Sequence, residues 1–237
     1  MYESAPLGGY TVPRIVSKRL RTAEAPSGEL FDLDTLRTHL RFPNPKENDY
    51  LKSFILPTAI DAVERYTSRF LLSRKLSMTM DFIPGFGDAT AGRYGTGYYP
   101  VTFTQRGTFR WFDLMGAPVL TVQSMKYIQD DGVESTFPAD QYLVDAADPD
   151  RAARIILQRG ALWPSDLQVA KGISIAYTAG YGEAADVPAS LKHAVLLIAT
   201  ALFTNRGDSA DSQDLVLHFP QVRALLAPYI IPNFITV

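Results

Sequence analysis

The chain has 237 residues, no cysteine, and a formal net charge of −2 from 23 Lys+Arg against 25 Asp+Glu. At 46% hydrophobic and 20% charged residues it has an ordinary globular composition, long enough for one large domain or two small ones. Disulfides, zinc–thiolate sites and thiol catalysis are excluded, the cysteine count fits a reducing compartment, and the charge balance lacks the basic surplus of a nucleic-acid binder.

Residues 1–30 carry Pro6, Gly8, Gly9, Pro13, Pro26 and Gly28 with no sustained period, and read as an extended arm. Arg14, Lys18, Arg19 and Arg21 make it basic; a solvated tail and a strap over an adjacent subunit both fit. The opening Met1-Tyr2-Glu3-Ser4 has neither the basic segment nor the apolar run of a signal peptide. Residues 32–41 predict a short helix with Leu33, Leu36 and Leu40 on one side. Asn44-Pro45-Lys46-Glu47 has the form of a capping box opening a long helix that runs to about Leu71. Leu51, Ile55, Ala59, Ala62, Val63, Tyr66 and Phe70 recur there at helical spacing. Pro57 is expected to kink this helix or displace its start.

From Lys75 the period changes to two, with Leu76, Met78 and Met80 alternating with Ser77, Thr79 and Asp81. Phe109 and Trp111, then residues 119–128, 141–144 and 154–157, also read as strands, and Gln129-Asp130-Asp131-Gly132 is a hairpin turn signal. The Gly/Tyr-rich stretch 85–99 reads either as a plain loop or as a partner contact through Tyr94, Tyr98 and Tyr99. Ile173, Ile175 and Tyr177 alternate with Ser174, Ala176 and Thr178 in a last strand, which Gly180-Tyr181-Gly182 ends.

Pro188 then starts a helix that is apolar nearly all round. Leu191, Ala194, Val195, Ile198, Ala199 and Leu202 mark one face; Leu196, Leu197, Ala201 and Phe203 extend it. Such a helix is either a central core helix or packs partly against a neighbouring subunit, with Leu196, Leu197 and Phe203 as the candidate subunit interface. Its apolar run is too short to span a bilayer, so no membrane partner is expected. A polar loop and a short helix near residues 220–227 follow. Leu225, Leu226, Tyr229, Ile230, Ile231, Phe234, Ile235 and Val237 then crowd the end, punctuated by Pro228 and Pro232. This tail either folds back on its own core or docks as an extended peptide in another protein.

No chemistry-bearing pattern emerges. His39, His193 and His218 are far apart and form no metal-binding motif, and no nucleophile elbow is present. The glycines at 85–97 lack the helix N-terminus that a phosphate cradle needs. Asp130/Asp131 and Asp148/Asp150 sit in turn contexts that account for them. An enzyme is not expected, nor a metal or organic cofactor.

Several segments in order carry a resemblance. They are Ala62-Val63-Glu64-Arg65-Tyr66-Thr67-Ser68-Arg69 closing a helix, Pro118-Val119, Asp130-Asp131-Gly132, Ala153-Arg154-Ile155 leading to Trp163-Pro164, and Ala179-Gly180-Tyr181-Gly182. Val187-Pro188 before the apolar helix, Asn205-Arg206 after it, and Val222-Arg223-Ala224-Leu225-Leu226-Ala227-Pro228-Tyr229 complete the set. Over about residues 31–230 the chain resembles the head–tail connector (adaptor) proteins of tailed bacteriophages and gene-transfer particles; the arm and an insert near 84–107 depart from that pattern. The resemblance implies a structural virion protein of the neck, assembled in the host cytoplasm as a homo-oligomeric ring, expected to be dodecameric, beneath the portal protein. Double-stranded DNA would pass through it without specific binding, and a head-completion (stopper) or tail protein would follow it.

The expected class is α+β: a helical bundle scaffold with an inserted antiparallel β region and an extended C-terminal tail. The divisions are an arm at 1–30, scaffold at 31–72, β insertion at 73–182, and scaffold plus docking tail at 183–237. Portal docking is expected at Leu225, Leu226, Pro228, Tyr229, Ile230, Ile231 and Phe234. A β-rich receptor- or carbohydrate-binding tail module is the alternative function.

Overall fold

The computed structural model describes residues 18–26, 28–41, 45–81, 83, 110–164, 167–205 and 219–231. Within them the chain is α+β. Asp32 opens α1 (Leu33–Leu40) by accepting the Thr35 N–H at 2.6 Å, which satisfies one of the helix's unpaired donors, and Arg41 closes it at φ 52°. Asn44 of the expected capping box lies outside the described residues, and Pro45–Glu47 forms a 3₁₀ turn. Next, α2 (Asn48–Tyr50) runs through a π turn, Leu51–Ile55, into α3 (Leu56–Thr67). The π turn is the response to Pro57. The Leu56 N–H reaches back five residues to the Leu51 carbonyl, widening the ladder just before a ring that has no N–H to offer. The helix ends at Thr67, earlier than its periodicity suggests, because Ser68 turns left-handed at φ 58°.

The remaining helices are α4 (Ala189–Thr204) and α5 (Pro220–Leu226). Leu36, Leu51, Val63, Leu191, Val195, Ile198 and Leu226 belong to one buried apolar cluster, with α4 packed on α3, α1 and α5.

The strands are β1 (Lys18–Glu24), β2 (Arg74–Met80), β3 (Trp111–Asp113), β4 (Val119–Ile128), β5 (Glu134–Thr136), β6 (Tyr142–Asp145), β7 (Arg154–Leu157) and β8 (Ile173–Ala179). They form a five-stranded sheet, β1-β2-β8-β4-β5, and a three-stranded one, β3-β7-β6, with every strand pair antiparallel. Leu76, Met78, Ile173, Ile175 and Tyr177 from the large sheet share one buried cluster with Phe112, Ile155 and Leu157 from the small one, so the sheets face each other as a sandwich. The turn at 129–132 forms as expected, with Gly132 at φ 81° and its N–H on the Gln129 carbonyl.

The sheet is not closed within 73–182. Its edge strand β1 comes from the segment read as an arm, pairing with β2 from Lys18↔Met80 to Glu24↔Lys75. Only Leu20 packs on the β core from this strand, so its neighbouring cations hid the period of two. Residues 1–17, the 84–107 insert and the 205–214 loop fall largely or wholly outside the described residues.

All helical connections leave one end of the large sheet. At that end β1 finishes at Glu24 opposite Lys75, and Arg74 lies opposite Ala179, where β8 departs for α4. This segregates helices to one end of an antiparallel sheet, and the backbones crowd there. Gly180 sits at φ 129°, and a Cβ on it would lie 2.4 Å from the Leu72 carbonyl oxygen. Gly180→Ala is therefore expected to destabilise the fold by about 2 kcal/mol or more, read as a lowered midpoint in urea denaturation; an unchanged midpoint would show that the joint is loosely packed.

Candidate functional site

The end where helices meet sheet is organised by Arg69, which is only 1% exposed. Its Nε donates to the Tyr229 carbonyl at 2.6 Å, Nη1 to the Pro149 carbonyl at 2.6 Å and the Tyr181 hydroxyl at 3.1 Å, and Nη2 to Asp150 Oδ1 at 3.1 Å. Backbone bonds reinforce the junction: Phe70 N–H to the Ala117 carbonyl, Gly180 N–H to the Pro118 carbonyl, and Ile231 N–H to the Thr67 carbonyl. Just inside α3, the Glu64 carboxylate accepts the Leu71 N–H at 2.9 Å and Arg74 Nη2 at 2.6 Å. Burial pushes the Glu64 carboxyl up, and the Arg74 charge opposes that shift. The residues that close α3 in sequence thus act as a structural clasp.

The clasp changes the expected role of the tail. Leu226 is buried in the helical cluster and Ile231 is also buried, at 0% and 5% exposure, and Tyr229 is half-buried with its carbonyl on Arg69. These three do not form an extended docking peptide. Pro228 lies in a 3₁₀ turn, Ala227–Tyr229, that bends the chain back onto its own subunit. Leu225 is half-buried, Pro228 and Ile230 are exposed, and Phe234 lies outside the described residues.

On α4, Leu191, Ala194, Val195, Ile198 and Ala199 are buried, whereas Leu196, Leu197 and Phe203 are half-buried against the same cluster. His193, inside this helix, is exposed rather than a core residue, and meets the His39 ring edge-on at 6.0 Å. Burial and the neighbouring His193 hold the His39 imidazole below its ordinary value. The adjoining groove, lined by Leu30, Phe31, Ala185 and Leu196 among others, is shallow and open.

The carboxylate pairs serve turns. Asp131 accepts the Val133 N–H and Asp148 the Asp150 N–H, both at 2.9 Å, while Asp150 also holds Arg69. Among the described residues no group of three His, Asp or Glu side chains could hold a metal ion, and no helix is long and apolar enough to cross a membrane.

One surface had no sequence signal strong enough to find it, because its residues lie on three very short strands. On the outer face of the small sheet Trp111, Ile156 and Leu143 align across β3, β7 and β6, with Trp111 44% and Leu143 53% exposed. The next row is Asp113, Arg154 and Asp145; Arg154 pairs with Asp145 at 2.7 Å and lies 5.3 Å from the centre of the Trp111 ring.

No protein-family model matches the chain, and no curated protein does. Among the solved structures that share its fold are three that each match 92% of this chain and 98% of the neighbour. One is from the neck of an empty gene transfer agent particle computed with C6 symmetry (TM-score 0.67, 24% identity), and one from the virion of a native gene transfer agent particle (0.62, 26%). The third is from the neck of a native particle computed with C12 symmetry (0.63, 25%).

Arg69→Met removes the fork while keeping bulk. It is expected to cost about 2–4 kcal/mol and to raise hydrogen exchange selectively at the Ile231 amide and its neighbours. Exchange rising uniformly, with no excess at the C-terminal segment, would show that Arg69 does not hold the tail.

Proposed function

We propose that this protein is a structural, non-enzymatic component of the neck of a phage-like particle: a head–tail connector that forms a ring between the portal and the next head-completion or tail component, a dodecamer on the precedent of the neck computed with C12 symmetry. The observation that carries this is the match in fold along nearly the whole of both chains to particle-neck components. A shared fold alone would say little about function. The absence of catalytic patterning and the distribution of apolar surface add to it.

A cyclic ring joins two different patches of each copy head to tail. The half-buried side of α4, with Leu196, Leu197 and Phe203, supplies one patch of the kind required. Portal attachment falls to residues 232–237, including Phe234, helped by the exposed Pro228 and Ile230 and the half-buried Leu225. Leu226, Tyr229 and Ile231 anchor that segment to its own subunit instead of meeting the portal. The apolar row of Trp111, Ile156 and Leu143 suits the component added later. In this scheme the β region acts as an insertion between scaffold segments, with β1 tying the arm to it.

Truncation after Ile231 should leave thermal stability nearly unchanged, because the buried anchors remain. It should abolish co-assembly with the portal protein of the same particle, read by co-purification and electron microscopy of neck complexes. Repetition of each small contact around the ring makes the loss steep. Full-length protein that is absent from purified particles, or present away from the portal vertex, would sink the connector function. Truncated protein that still joins the portal would move the docking site elsewhere.

A further inference from the structure

The outer face of the five-stranded sheet is chemically unlike the rest of the surface. One cross-strand row reads Arg19, Thr79, Ser174, Lys126 and Thr136, spanning all five strands. The next reads Arg21, Ser77, Ala176 and Ser124. Beside them Gln123 Nε2 donates to the Thr178 hydroxyl at 2.7 Å. In these two rows the central strands β2 and β8 present only short side chains, with Lys75 following at the start of β2, and their outward positions retain solvent access.

The charges on this face are not balanced. Its acids are each engaged by a lysine, Glu24 by Lys75 at 2.6 Å and Glu134 by Lys126 at 2.7 Å. Arg19 and Arg21 are exposed and make no ion pair among the described residues. A chain of net charge −2 therefore carries one locally cationic, hydroxyl-rich plane.

We propose that this face is a sequence-independent contact surface for the phosphate backbone of double-stranded DNA, with Arg19 and Arg21 as the unpaired cations and the Ser/Thr hydroxyls as short neutral donors. This assignment deepens the ring function proposed above and rests on it for the source of the DNA. Arg19 and Arg21 lie two residues apart on the same side of the edge strand β1, about 7 Å at ordinary strand rise, so both can meet one stretch of backbone. The short hydroxyl side chains that line β2 and β8 make contacts of the kind that fix position without reading sequence. Few cations also mean few released counterions, hence a weak hold that lets DNA slide.

The test uses purified full-length protein and a short fluorescent duplex of mixed sequence, with binding followed by anisotropy from about 50 to 200 mM salt. Arg19→Glu/Arg21→Glu should weaken binding at least tenfold and reduce the slope of log affinity against log salt by about 2. Arg65→Glu, an equally exposed charge reversal on α3, should leave both nearly unchanged. No duplex binding at low salt, an unaltered double variant, or competition by polyglutamate as effective as by unlabelled duplex would overturn the proposal; the last would point to an acidic protein instead. Ring formation of the same samples is scored by electron microscopy. Rings with unaltered binding in the double variant remove the DNA face and leave the connector function standing. The expected binding losses without any rings do the reverse.

Discussion

The whole arrangement depends on placing one guanidinium where no water reaches it. A buried charge is tolerated only if its donors are satisfied, and Arg69 finds acceptors on Pro149, Asp150, Tyr181 and Tyr229. Those belong to the β6–β7 connection, the exit of β8 and the C-terminal turn. Three segments distant in sequence must therefore arrive together, each in one orientation. A lysine could not substitute, since its single ammonium lacks the planar fork that reaches several acceptors at once. The clasp also explains why the end of α3 is abrupt. Ser68 must turn left-handed so that Arg69 leaves the helix axis and meets the sheet.

Much of the fold was legible because its signals are local. β4 and β7 have the bounds that alternation and turn residues imply, and the buried side of α4 is Leu191, Ala194, Val195, Ile198 and Ala199, the set that helical spacing selects except for Leu202, which is half-buried. What escaped was decided by tertiary contact. β1 carries one inward leucine among Lys18, Arg19 and Arg21, and becomes a strand only because β2 offers it an edge. β5 has three residues, too few for a period to show. The tail kept two readings open for a related reason. Apolar residues beyond the last helix, punctuated by prolines, look the same in sequence whether they meet a partner or their own core, and the Tyr229 carbonyl on Arg69 is what selects the second.

The proposed partner surfaces were the least legible. Trp111, Leu143 and Ile156 are separated by many residues and become one row only through the antiparallel registers of the small sheet. The same holds for Arg19, Thr79 and Ser174 on the large one. A flat count of charges gives −2 and conceals both faces. Sequence patterns report what each strand turns inward; function in an assembly protein lies in what several strands turn outward together.

The sandwich is consequently polar across its thickness: cations and hydroxyls on one outer face, apolar and paired charged residues on the other, and a single buried cluster between. Such a module cannot be turned over without presenting the wrong chemistry to each side. What fixes its orientation relative to the helices is again the crowded end of the large sheet. There Gly180 lets β8 pass within contact of Leu72, and Arg69 locks the approach. If the helices build the wall of a ring, the rigidity of that joint determines which face of every sandwich points inward. One buried arginine, repeated in each copy, then sets the chemistry of the channel without lying in it.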